Sequence, residues 1–150
     1  MFKWIQMGIV TLLLIRAVYT DLKIGKIENR LIGFCLVAGV VCIYGEGGTS
    51  QLLAGIKMMC AVISVLFFLF IIKGLGAGDI KLLGVLALFF PEDAVSIIAA
   101  SFFTGAVIAG GRMLIRACKK EKIYKRKETL NFSVPIALGT GAVKLWNMFC

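Results

Sequence analysis

The sequence predicts an all-α, polytopic membrane protein built as one domain over residues 1–150. Three observations carry this expectation. Of the 150 residues, 60% are hydrophobic and the mean hydropathy is +0.97, whereas soluble domains lie nearer half apolar. Apolar runs of membrane length, or close to it, recur along the chain. Basic residues alternate sharply between successive connections, as the positive-inside rule describes.

Six transmembrane segments follow, at about Trp4–Thr20, Asn29–Tyr44, Gln51–Ile72, Ile80–Phe90, Ala94–Ile115 and Phe132–Phe149. The first resembles a signal peptide, with a lysine ahead of an apolar stretch. No small-residue cleavage site follows it, and Arg16 stands where such a site would be neutral, so it reads as a retained span. Arg16 lies about one turn above the inner end and can snorkel down. The second and third segments are parted by GEGGTS, a turn-forming stretch. Phe67, Phe68 and Phe70 in the third read as lipid-facing or packing surface. The fourth, Ile80–Phe90, gives only about 17 Å of helix against a hydrocarbon core of about 30 Å. A re-entrant loop of that length would invert everything after it. The charge pattern therefore favours a short true span in a locally thinned bilayer. In the fifth and sixth, Gly105, Gly110, Gly111, Gly139 and Gly141 read as close helix contacts. Pro135 falls in a first helical turn, where proline is tolerated.

Orientation comes from the connections. The first holds Lys23, Lys26 and Arg30, the third Lys73 and Lys81, and the fifth seven bases between Arg116 and Lys127. The second and fourth hold no base. Connections one, three and five are thus expected at the cytoplasm, with both termini outside. The same pattern accounts for the net charge of +9 without nucleic acid, and the 116–127 run is expected to meet anionic lipid.

Several chemistries are excluded by inventory. There is no histidine, which removes Ser-His and Cys-His dyads and histidine-based zinc sites. The five cysteines form no CxxC pair, so neither a metal cluster nor a disulfide framework is expected. Cys118, beside Lys119 and Lys120, is the one with a basic neighbourhood. No cofactor is implied.

Three aspartates remain. Asp93 lies in the outer PED turn, where a solvated acid needs no explanation. Asp21 and Asp79 fall at inner ends of segments, which puts them at one depth. Asp79, in LGAGDIKLLG, has an ordinary reading as a helix N-cap, with Gly74, Gly76 and Gly78 permitting the turn. Asp21 stands where a helix dipole disfavours negative charge, or it is a loop acid paired with Lys23. Taken together they suggest a dyad. Two carboxylates that share a proton can activate water and polarise a carbonyl without metal, histidine or covalent intermediate. The dipoles nominate Asp79 as the base and Asp21 as the protonated partner. The glycines would also let an extended peptide approach closely. Lys23 and Lys81, each two residues past an acid, either tune it or serve as positive-inside charges.

GAGDIKLLG resembles the GxGD signature of type IV prepilin peptidases, membrane aspartic proteases related loosely in fold to presenilins. YTDLKIGKIENRL resembles that family's acid at the end of helix 1, followed by a basic stretch and Ile-Pro-Asn-x-Leu. VPIALGTG is similar to the opening of its last helix. The resemblance implies a six-helix fold and catalysis by Asp21 and Asp79. It implies prepilin-like substrates with a short basic leader, cut at the cytoplasmic face of the inner membrane. Two departures stand out. Glu28 occupies the usual proline position, and the methyltransferase region of the long enzymes is absent, which points to the short Flp or tight-adherence branch. The contrasting expectation is a non-enzymatic membrane subunit, either a proton relay or a pilus-assembly scaffold.

Overall fold

A computed structural model describes residues 2–25, 27–72, 74–118 and 132–149. Those residues form five helices: α1 (Phe2–Ile24), α2 (Asn29–Ile71), α3 (Ala77–Phe89), α4 (Ala94–Cys118) and α5 (Ser133–Phe149). Three are long and apolar enough to cross a membrane, over Trp4–Ile24, Asn29–Ile71 and Ala94–Leu114. The basic run expected at 116–127, together with Lys26 and Lys73, lies outside the residues described with side chains, as does Cys118.

The expected second and third segments are joined. GEGGTS is drawn into α2, which is broken at Gly48, where φ is 63° and ψ −154°. That backbone region is essentially reserved for glycine. The break turns the chain back on itself. A Cβ on Gly39 would lie 2.9 Å from the Phe89 ring, and one on Gly55 2.8 Å from the Leu88 carbonyl. A straight helix would hold residues 39 and 55 about 24 Å apart, so both could not meet the same end of α3. Asn29 meets Lys81 near the start of α3, and Gly84 faces Ile63. The first arm of α2 therefore runs parallel to α3 and the second antiparallel.

α3 is thereby enclosed. From Leu82 to Phe89 every residue is buried, with α2 folded around it. A helix apolar on all sides belongs at a core. Length alone had made Ile80–Phe90 look like the weakest element, yet it is the centre of the molecule. Leu13 and Ala17 of α1, Val62 and Leu66 of α2 and Ile136 of α5 complete that core.

α4 and α5 pack as a second pair. A Cβ on Gly139 would come within 2.6 Å of the Ser101 backbone nitrogen, and one on Gly105 within 2.8 Å of the Phe132 ring. Thr104 Oγ1 donates to the Pro135 carbonyl at 3.1 Å. The other three glycines expected at helix contacts, Gly110, Gly111 and Gly141, face open space. Phe67, Phe68 and Phe70 are exposed, as expected of lipid-facing residues.

The bundle has two chemically distinct ends. One gathers Gln6, bonded to Glu46, and Asp93, which accepts hydrogen bonds from Lys144 and Asn147. Both described ends of the chain therefore lie there. The other end gathers the close of α1 and the starts of α2, α3 and α5.

Candidate active site

Asp21 lies in the last turn of α1, which runs one turn further than expected. The helix stops at Gly25, whose φ of 70° is the left-handed terminator that glycine supplies, and whose N–H donates to the Asp21 carbonyl at 2.9 Å. The Asp21 side chain is 8% exposed. Ser133 Oγ, fully buried, donates to its Oδ2 at 2.5 Å. Ser133 opens α5, so the carboxylate also faces the positive end of that helix. The unfavourable dipole of α1 is thus opposed by a favourable one from a distant element.

Asp79 is not the N-cap of α3. The helix begins at Ala77 with Gly76 as its cap, which leaves Asp79 in the first turn. Its N–H donates to the Gly76 carbonyl at 3.1 Å, and its carboxylate takes a hydrogen bond from the Gly76 backbone. An acid at this position that reaches back to the cap residue is one half of a capping box; glycine has no side chain to supply the other half. The turn between α2 and α3 is pinned by Leu75, which is buried in the core.

The structure brings the two acids together. Asp79 stands just ahead of the apolar stretch 80–90. Burial, and then the neighbouring charge of Asp21, push its carboxyl up to about 6, against a lowering by the Gly76 hydrogen bond. The dipole argument had made Asp79 the readier of the two to ionise. Desolvation and a like charge outweigh the helix end at Asp79.

The remaining expected residues divide. Gly76 is exposed and leaves space for the acid: a Cβ there would lie 2.9 Å from Asp79 Oδ2. Gly78 backs onto Ile27, at 3.3 Å from a built Cβ, so it packs the α1–α2 link rather than offering surface to a peptide. Lys81 donates to Asn29 Oδ1 at 3.0 Å. Lys23 lies over the Tyr19 ring at 5.5 Å and donates to its hydroxyl at 3.4 Å. Neither lysine forms an ion pair with Asp21 or Asp79. Glu28 caps α2 with φ −68° and ψ 123°, a backbone that proline adopts without strain. Ser133 was missed. Its only sequence signal is that of a hydroxyl at a helix start, and nothing local links it to Asp21.

Among the described residues, no three His, Cys, Asp or Glu side chains gather as a metal site would need. A cavity of about 770 Å³ lies at the opposite end, bordered by Gln6, Glu46, Lys57, Asp93 and Lys144. It does not include either central acid.

The fold and site define a helical, membrane-type protein with two neighbouring carboxylates at one end of the bundle. Residues 8–110, more than half of the chain, match the family model of the Type IV leader peptidase family. The chain belongs to that family. Comparison with curated proteins and with solved structures gave no match.

Proposed function

We propose that this chain is a membrane aspartic endopeptidase that removes the basic leader from type IV prepilin-like precursors of the Flp, tight-adherence or pseudopilin kind. The carrying observation is the meeting of Asp21 and Asp79, from distant parts of the sequence, closely enough for one charge to raise the other's proton affinity. Family membership supports the same reading.

In this mechanism Asp21 takes a proton from a water molecule, whose oxygen attacks the scissile carbonyl. Asp79 gives its proton to the carbonyl oxygen as the tetrahedral intermediate forms. On collapse the leaving amine takes the proton held by Asp21, and Asp79 recovers its own from the intermediate's hydroxyl. The pair titrates as a unit, so both roles belong to one shared proton. The base and acid are the reverse of the dipole-based expectation.

The alternating charges support an inner-membrane location with both acids at the cytoplasmic face and both termini outside. A precursor's basic leader would stay in the cytoplasm while its apolar segment remains in lipid. Cleavage of a co-expressed prepilin by the wild type, with loss in Asp21→Asn and in Asp79→Asn, is the expected result. Processing that survives in either variant excludes the dyad.

A further inference from the structure

We propose that Ser133 is a positioning residue that holds Asp21 in its working orientation, so that α5 completes the site. The inference rests on the peptidase reading above, and it involves a residue outside the family-matched segment 8–110.

Ser133 and Asp21 are both buried, and the hydroxyl reaches Oδ2 at 2.5 Å. Aspartate at the end of a helix has two side-chain torsions to lose. Fixing one oxygen fixes the plane of the carboxylate, and with it the direction in which a water proton can be accepted. Serine has a single heavy-atom torsion, so its support is stiff if its backbone is stiff. The structure supplies that stiffness. The backbone at Gly139 lies against Ser101, Thr104 bonds to the Pro135 carbonyl, and Phe132 packs on Gly105. A reactive group held by a rigid neighbour keeps its near-attack geometry.

The charged and titratable groups around Asp21 leave this role open to Ser133. From α3 comes Asp79, a like charge, and Lys81, which is bonded to Asn29. On α1 itself Lys23 is engaged with Tyr19. At the start of α2 stand Glu28 and Arg30, the latter exposed. From α4, Arg112 shares a small cavity with Leu22 and Pro135. No described lysine or arginine forms an ion pair with Asp21, and among the described residues it is the Ser133 hydroxyl at the start of α5 that bonds its side chain.

The test uses the full chain in phosphatidylethanolamine–phosphatidylglycerol vesicles, with a synthetic peptide bearing a basic leader and an apolar segment. Ser133→Ala is expected to lower kcat about tenfold to a hundredfold, with KM within about twofold. Ser133→Thr, which keeps the hydroxyl, is expected to restore most of kcat. A second readout needs no turnover: carbodiimide modification of Asp21, mapped by mass spectrometry in an Asp79→Asn background. Adding Ser133→Ala is expected to speed that modification several-fold. Full activity in Ser133→Ala, with Asp21→Asn inactive, would overturn the Ser133 inference and leave the peptidase reading standing. Equal modification rates would also overturn it. Faster modification, with no cleavage by any form of the protein, would overturn the peptidase reading and leave the hold on Asp21 intact.

Discussion

Asp79 is pulled in two directions, and the balance makes the protein sensitive to pH. Its ordinary value of 3.8 rises to about 6 in the fold. Between these values the folded form binds more protons than the unfolded one, so stability falls as pH rises. The stabilisation is complete below about pH 4 and lost once pH passes about 6. It amounts to at most about 3 kcal/mol at 1.36 kcal/mol per unit, and solvent at this half-buried group reduces it. Thermal melting of the wild type in lipid is expected to decline over that window, while Asp79→Asn shows no such decline. For cleavage the same proton sets an alkaline limb of kcat/KM near pH 6 in the free enzyme. Gly76 can be probed beside it. Its φ of −78° and ψ of 147° accept alanine, but the new Cβ would lie 2.9 Å from Asp79 Oδ2. Gly76→Ala is expected to melt within about 2 °C of the wild type and to cleave at least about tenfold more slowly, because only the carboxylate has to move.

Turns and arms behave differently from single side chains. Gly48, with φ 63° and ψ −154°, folds α2 back around α3. Gly48→Ala strains that backbone by about 1–3 kcal/mol, although a Cβ would meet nothing within 4 Å. The melting temperature should therefore fall through strain alone. At the start of α2, Glu28→Pro should hold or raise stability, by about 0.4–1 kcal/mol, since φ is already −68°. Apolar length revealed where helices run to within a few residues, because that signal is local. GEGGTS was readable as a reversal of direction, although the backbone makes it with one glycine inside a merged helix. The burial of α3 was not readable. A short apolar run looks alike whether it faces lipid or neighbouring side chains, and only the return of α2 distinguishes the cases. The site divides in the same way. Asp21 and Asp79 stood out as acids among apolar runs, whereas Ser133 matters through a partner 112 positions away. The raised proton affinity of Asp79 was not readable either, because a helix dipole is visible in its own segment while burial is not.

At the scale of the molecule, two tightly packed units share the site. α2 and α3 form one, carrying Asp79, and α4 and α5 form the other, carrying Ser133. α1 touches both and bears Asp21, while α3 and α4 make little direct contact. The acids therefore keep their geometry only while the second unit stands correctly against α1. Gly139 is where that unit is tightest, since a Cβ there would lie 2.6 Å from the Ser101 nitrogen and 2.9 Å from the Ala100 carbonyl carbon. Backbone cannot yield as a side chain does, so α5 must shift as a body and draw Ser133 with it. Gly141, two residues along the same helix, meets nothing within 4 Å. Gly139→Ala is accordingly expected to destabilise by about 1–3 kcal/mol and to lower cleavage by more than its folded fraction accounts for. Gly141→Ala should be neutral or slightly stabilising, by up to about 1 kcal/mol. Melting and cleavage measured on the pair in one lipid preparation separate the two effects. Equal behaviour of the two variants would mean that the α4–α5 contact does not govern the site.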